Sequence, residues 1–445
     1  MSNNDSGSGF VEKHLMPIAV KLSVFKPLIA IRDGITLAMP LIIIGSLFLI
    51  LGSFPVEAWT DWLENTAVNG VSIADVFTKI TNGSFGLLGI IGCFGIASSY
   101  SEQHKTDGKS AGVIAVASFF VVTPSIFTSG NEPLEGMPYE YLGSQGLFIA
   151  IIVGLLSGGI FQWFINHDIQ IKMPEAVPPA VSSSFSALIP GAVVITLFGV
   201  VYTIFAWADW GNIHDSILNV LSGPLSLLGD TLIGTIVAVM LNSLFWFVGI
   251  HGAHVVNNII SPIWLMNTDA NRQLFTEGTL NLENHGHIIT QPFIDNFVYM
   301  GGGGATLGLV IAVVILVAMR RASKQMKTLA PLTVTPGIFN INEPTMFGMP
   351  IVLNMSLIIP FILAPVANAI TTYTAMSLEL VPLSTGAVVP WTMPPILSGF
   401  LATNSIAGSV LQGFNLIIDI LIYLPFVSTF NKQLRLEEAG ELTEE

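Results

Sequence analysis

Charge-free apolar runs of about twenty residues recur along the chain. Residues 34–54 read GITLAMPLIIIGSLFLILGSF, and comparable runs occupy 146–165, 185–207, 231–250 and 301–319. Each is long enough to cross a hydrocarbon core of roughly 30 Å as a helix. Strands of a membrane barrel would instead alternate apolar and polar positions over about ten residues. Five spans fit before residue 210: 34–53, 76–98, 111–128, 146–165 and 184–207. They alternate in and out. A sixth runs 230–250, and the next clean run, 297–319, ends on the same side. Parity therefore demands one more crossing between 250 and 296. The apolar candidate there, VVNNIISPIWLM (255–266), carries Asn257, Asn258 and Pro262. That content predicts irregular backbone, which survives at membrane depth only inside protein or against a cavity.

Two further segments read as broken. Residues 331–347 hold three prolines, two asparagines and an acid, and suggest a hairpin whose tip dips inward. In VVPWTMPPILSGFLATN (388–404), Pro394 and Pro395 forbid a regular helix. Broken segments near mid-membrane mark the substrate site of many transporters. The chain thus divides into a regular N-terminal helical bundle, 1–215, and a site-bearing C-terminal domain, 216–445. The expected fold class is an all-α polytopic membrane protein.

Composition agrees. Of 445 residues, 52% are hydrophobic and 10% charged, against about a quarter charged in soluble domains. The mean hydropathy is +0.72. No short apolar region with a cleavage site opens the sequence, so the first long run is expected to stay as a span. The single cysteine, Cys93, lies in an apolar stretch and reads as a small buried side chain. The net charge of −14 is spread unevenly. Residues 54–76, 130–143 and 207–215 are acidic, whereas Lys and Arg gather near the N-terminus, at 105 and 109, at 172, in RRASKQMK (320–327), and at 432 and 435. That bias places both termini in the cytoplasm. It also makes the 320–327 cluster a topology signal rather than a nucleic-acid patch.

The candidate chemistry lies in the second half. Glu343, in FNINEPTMFGMPIV (339–352), is an acid between membrane segments. Such an acid normally faces a cavity or a partner, and burial would raise its pKa and suit it to accept a hydroxyl proton. His251 and His254 have H-x-x-H spacing, yet the glutamate of H-E-x-x-H is missing and no third ligand stands nearby, so no metal is expected. His251 is flanked by glycines that would let a ligand approach the backbone. Trp246 and Trp391 offer flat faces that suit the apolar faces of sugars. Together with Asn257, Asn258, Asn340 and Asn342, the inventory is acid, amide, imidazole and aromatic. It suits an uncharged polyhydroxyl better than an anion, which would need convergent Arg or Lys.

GGGGA (301–305) lacks the Lys-Ser/Thr of a phosphate loop and reads as close helix packing. No ATP-hydrolysing motif, no serine–histidine–acid set and no cofactor signature stands out. NEPLEGMP (131–138) echoes NEPTMFGMP (342–350), which reads as chance because nothing around it repeats. The residues alone leave two functions open: a sugar permease, or an ion-coupled sugar symporter with Glu343 as proton carrier.

Five stretches in order decide the resemblance. They are IRDGITLAMPLIIIGSLFLIL (31–51), MPEAVPPAVSSSFSALIPG (173–191), GIHG (249–252), GGGGATLGL (301–309) and NINEPTMFGMPIVLN (340–354). Nearly the whole chain resembles the membrane permease component, IIC, of the lactose/cellobiose/diacetylchitobiose branch of the bacterial phosphotransferase system. The resemblance implies about ten spans plus two re-entrant hairpins in the cell membrane. It implies a homodimer joined through the N-terminal half, with a β-linked disaccharide held in the C-terminal half and carried across by rigid-body motion. His251 and Glu343 match the family positions that meet the sugar near its 6-hydroxyl, and Asn340, Asn342, Trp391, Asn257 and Trp246 are the expected pocket residues. Phosphate would come from a cysteine on a IIB protein, fed by IIA, both separate from this chain.

Overall fold

The structure is a computed structural model and describes residues 21, 24–129, 132–174, 176–247, 249, 251–349, 351 and 354–439. Helices dominate, joined by two short hairpins of paired strands. Among the described residues, six helices are long and apolar enough to cross a membrane, and three shorter apolar helices accompany them. The chain folds as two compact units. One comprises residues 23–48 and 68–225; the other comprises 1–22, 49–67 and 226–445.

In the first unit, the Leu88–Glu102 helix is the centre. Small residues let backbones approach. A Cβ added at Gly95 would lie 2.7 Å from the Cα of Gly34 on the Lys26–Gly52 helix. Gly154 and Gly158, on the Leu147–Asn166 helix, abut the backbone carbonyls of Cys93 and Ala97. Cys93 is fully buried among Ala97, Ala115 and Phe119. The expected 76–98 span falls within Ile73–Glu102, one of the six, which is built of two consecutive helices, Ile73–Phe85 and Leu88–Glu102. They part at Gly86, whose Cα faces the Tyr139 ring too closely for a side chain. The expected 111–128 span stops at Val122, because Pro124 follows and disfavours helix at the residue before it.

His214 is buried at the start of the Ile213–Gly229 helix. Its Nε2 is 3.0 Å from Thr123 Oγ1, and its ring lies against Phe119 and Tyr141. Burial pushes its pKa down to about 4, so it is neutral at pH 7. The Tyr141 hydroxyl donates to Asp215 and accepts from Asn212. Burial, then the Asp215 carboxylate, pushes that hydroxyl up to about 12.

The second unit differs most from expectation. Residues 255–266 are not irregular: Gly252–Thr276 is one helix with Pro262 inside it. The proline removes one backbone donor, and the helix tolerates this because it is enclosed, with Val255, Val256, Ile263 and Trp264 buried. Its polar residues serve neighbouring chain. Asn271 donates to the carbonyls of His287 and Ser384, and Asn267 donates to that of Ile289. Thr290 and Ser384 bond to each other at 2.9 Å. The buried non-helical chain around 287–291 and 383–389 is therefore satisfied by amide and hydroxyl side chains rather than by its own ladder. The same helix buries the pair Arg272–Asp269 at 2.7 Å.

Residues 331–347 are also less broken than expected. Lys324–Ile338 is helical through Pro331 and Pro336, and a short helix, Glu343–Gly348, follows. The expected break at Pro394–Pro395 holds: helix resumes only at Leu397. Two long helices, Met355–Ser377 and Ile406–Glu438, run through the core of this unit, where Phe361, Ala364, Tyr423 and Val427 are fully buried.

Candidate functional site

The glycine run is a loop, not a helix-packing stripe. The Thr306–Ala318 helix begins only after it. Gly301, Gly302 and Gly304 adopt φ values of 84°, 93° and 79°, a region open to glycine and strained for other residues. Close neighbours demand glycine as well. A Cβ on Gly302 would sit 2.9 Å from the Asn340 carbonyl oxygen and from Asn342 Cβ, and one on Gly303 would sit 2.7 Å from Trp246 Nε1. The loop carbonyls are held from outside: Tyr423 donates to Gly304 at 2.6 Å and Thr306 to Gly301 at 2.5 Å.

Asn340 and Asn342 fasten a second segment to this loop. Asn340, at φ 60° and 5% exposed, accepts from the Gly301 N–H at 2.6 Å. Its Nδ2 donates to the carbonyls of Trp391 (2.5 Å) and Met393 (3.0 Å). Asn342 Nδ2 donates to the Gly303 carbonyl at 3.1 Å. Three non-helical pieces, 301–305, 339–342 and 391–393, are thus joined by two amide side chains.

Glu343 is the next residue and opens the Glu343–Gly348 helix, with Pro344 in its first turn. The expectation of a buried acid is not met. Its side chain is exposed and makes no hydrogen bond or ion pair with any described residue. The backbone is clamped while the carboxylate stays open.

Trp246 is buried, near the end of the Leu232–Phe247 helix, and its Nε1 faces Gly303. His251 precedes the first residue of the Gly252–Thr276 helix, and its ring centroid lies 4.3 Å from that of Trp246, tilted by 47°. Gly252 is needed for chain packing rather than for a ligand, since its Cα rests directly on Asn242. Gly249, with φ 79°, makes the turn between the helices.

The structure therefore brings together Trp246, His251, Asn340, Asn342 and Glu343 around the glycine loop. Trp391 joins through its carbonyl, and its side chain is 54% exposed. Asn257 lies further along the Gly252–Thr276 helix, half-buried, with its Oδ1 lacking a hydrogen-bond partner among the described residues. His254 and Asn258 have side chains outside the described set. No cluster of three metal-ligating side chains occurs among the described residues. Sequence reasoning missed the loop itself as the platform, although four successive glycines were its signal. It also missed Met393 and Tyr423, which act through partners distant in sequence.

Residues 32–365 match the family model for the phosphotransferase system, EIIC. The chain belongs to that EIIC family. The family's membrane permeases include relatives similar along almost the full length of this chain. The PTS system cellobiose-specific EIIC component of Geobacillus stearothermophilus is 42% identical over 447 residues, covering 97% of this chain and 96% of the relative. The lichenan permease IIC component of Bacillus subtilis is 41% identical, covering 97% and 95%. Among solved structures, the EIIC fold here is similar to the transporter ChbC, the IIC component from the N,N'-diacetylchitobiose-specific phosphotransferase system. The TM-score is 0.90 at 39% identity, covering 97% of this chain and 99% of that one. This EIIC chain is a multi-pass membrane protein.

Proposed function

We propose that this chain is the permease of a sugar phosphotransferase system that carries an uncharged β-linked disaccharide. Cellobiose leads, with diacetylchitobiose or lactose as the other candidates. The names of the cellobiose-specific and diacetylchitobiose-specific relatives support that class. The observation that carries the reading is the open Glu343 carboxylate, held on backbone clamped at Asn340 and Asn342. Trp246 abuts the same loop, and His251 packs on Trp246.

In this reading Trp246 and Trp391 supply flat surface to the sugar, and His251 and Glu343 meet its 6-hydroxyl. Asn340 has both halves of its amide engaged and serves by holding the site's shape; Asn342 does so in part. Asn257 offers an amide oxygen with no partner among the described residues. The sugar oxygen attacks phosphorus on a phosphocysteine of a IIB protein, itself charged by IIA. The P–S bond breaks, the cysteine leaves as thiolate, and the hydroxyl proton passes to Glu343. Phosphoryl transfer is mainly positioning and charge stabilisation, so a fixed acceptor geometry is what the permease contributes. The product gains charge and fits poorly in a site suited to an uncharged sugar, which makes transport one-way.

The remaining parts of the proposal follow the family resemblance. They are a homodimer joined through residues 1–215, about ten spans with two re-entrant hairpins, rigid-body carriage of the sugar by 216–445, and both termini in the cytoplasm. Vesicle uptake of labelled cellobiose and diacetylchitobiose tests the proposal. Sugar phosphate should accumulate only with phosphorylated IIA and IIB. Gradient-driven accumulation of unmodified sugar would make the chain an ion-coupled symporter instead.

A further inference from the structure

A cavity of about 410 Å³ opens at the ends of the Thr306–Ala318 and Ile406–Glu438 helices, and none of the site residues named above lines it. Arg321, Lys432 and Arg435 all line it. Six of the chain's fifteen lysines and arginines fall in the two segments that meet here, 320–327 and 432–435. No carboxylate among the described residues pairs with any of the three. The nearby acid Glu438 is committed elsewhere, since its Oε1 accepts from the Lys324 and Gln325 N–H groups. Asn431 ties the walls together. Its Oδ1 accepts from the Ser323 N–H and its Nδ2 donates to the Arg321 carbonyl, each at 2.8 Å. The cations are therefore gathered by fixed backbone, although their own side chains stay exposed.

The depth of the cavity is set by the helices. Arg320 and Arg321 come directly after an apolar helix. The Ile406–Glu438 helix, at 33 residues, runs about 50 Å against a core of roughly 30 Å, and its polar last turns carry Lys432 and Arg435 beyond the apolar stretch. The same cavity also carries apolar wall, from Leu316 and Leu436. Arg435 Nη1 donates to the Arg321 carbonyl at 3.5 Å, and convergent cations with no carboxylate partner among the described residues, beside leucine at the membrane–water boundary, match a phosphate joined to acyl chains. Basic pockets between membrane helices recognise anionic headgroups by this combination.

We propose that this cavity binds the headgroup phosphate of an anionic phospholipid. The inference rests on membrane insertion and not on the sugar reading. The test uses the full chain, purified and returned to nanodiscs of neutral phosphatidylcholine or of the same lipid with phosphatidylglycerol or cardiolipin. Retained lipid is counted by native mass spectrometry, and affinity is taken from a thermal-shift titration in detergent. Anionic lipid should be retained and should stabilise the chain. The triple variant R321Q/K432Q/R435Q should bind it roughly a hundredfold more weakly, since each basic residue near an anionic surface contributes about fivefold. The variant R320Q/K324Q/K327Q, which removes the same charge outside the cavity, should weaken binding at least tenfold less than the cavity triple variant does. Single variant R435Q, which should weaken binding roughly fivefold, covers the case in which the triple variant fails to fold. Equal loss in the two triple variants would overturn the proposal and leave only diffuse charge attraction. Stabilisation by inorganic phosphate alone, with no preference for anionic lipid, would overturn it in favour of a soluble phosphate site.

Discussion

Asn340→Ala separates a residue that shapes the site from one that touches sugar. The substitution deletes one accepted and two donated hydrogen bonds, to Gly301, Trp391 and Met393. Each net hydrogen bond is worth about 1 kcal/mol, and a buried group left unpaired costs more. Alanine at φ 60° adds a further 1 kcal/mol or so, because asparagine tolerates the left-handed region better. The total is roughly 4 kcal/mol, concentrated on the joint between the glycine loop and 391–393. Asn340→Asp keeps an acceptor for Gly301 but sets a carboxylate oxygen against two carbonyls, so it should be as damaging. The assay is paired: thermal unfolding in detergent, and sugar binding by titration calorimetry. Both variants should lower the Tm by several degrees and weaken sugar binding at least tenfold. A variant with unchanged Tm and abolished binding would refute the reasoning and make Asn340 a direct sugar contact.

The other predictions are as follows. Glu343→Gln should leave the Tm unchanged, since the carboxylate has no partner among the described residues, and should abolish phosphorylating uptake; normal uptake would remove Glu343 from the mechanism. Gly303→Ala should push on Trp246, whose Nε1 would lie 2.7 Å from the new methyl, and weaken sugar binding about tenfold, which a tryptophan-fluorescence titration would read. Stability should fall as pH drops from 6.5 to 4, because over that window the unfolded chain protonates His214 while the folded chain does not. The loss is roughly 3 kcal/mol, from 1.36 kcal/mol per unit over the shift from 6.5 to about 4. His214→Gln should flatten that slope, and an unchanged slope would show that the buried ring does not govern it.

The sequence revealed the helical class and most apolar runs, because hydropathy over twenty residues is a local signal. It misplaced the irregular backbone. Pro262, Pro331 and Pro336 were read as helix breaks, yet all three sit within helices. Whether a missing N–H breaks a helix depends on how the surroundings hold it, which no local window contains. Conversely, non-helical chain near 287–291 gave no warning, because the side chains that satisfy it, Asn267 and Asn271, lie about twenty residues earlier. The site residues were legible as a list of types around GIHG and NINEP. Their division of labour was not. Asn340 reads as a pocket residue, and its amide is engaged by Gly301, Trp391 and Met393, while Glu343 reads as buried and is open. The glycines at 301–304 looked like helix packing and are the surface on which the other residues converge.

The most direct test of the central claim is uptake into vesicles that contain this chain, with all ion gradients collapsed. Labelled cellobiose should appear inside as its phosphate when phosphorylated IIA and IIB are present, and Glu343→Gln should stop it. Unmodified sugar accumulating without those partners, once a gradient is restored, would contradict the account.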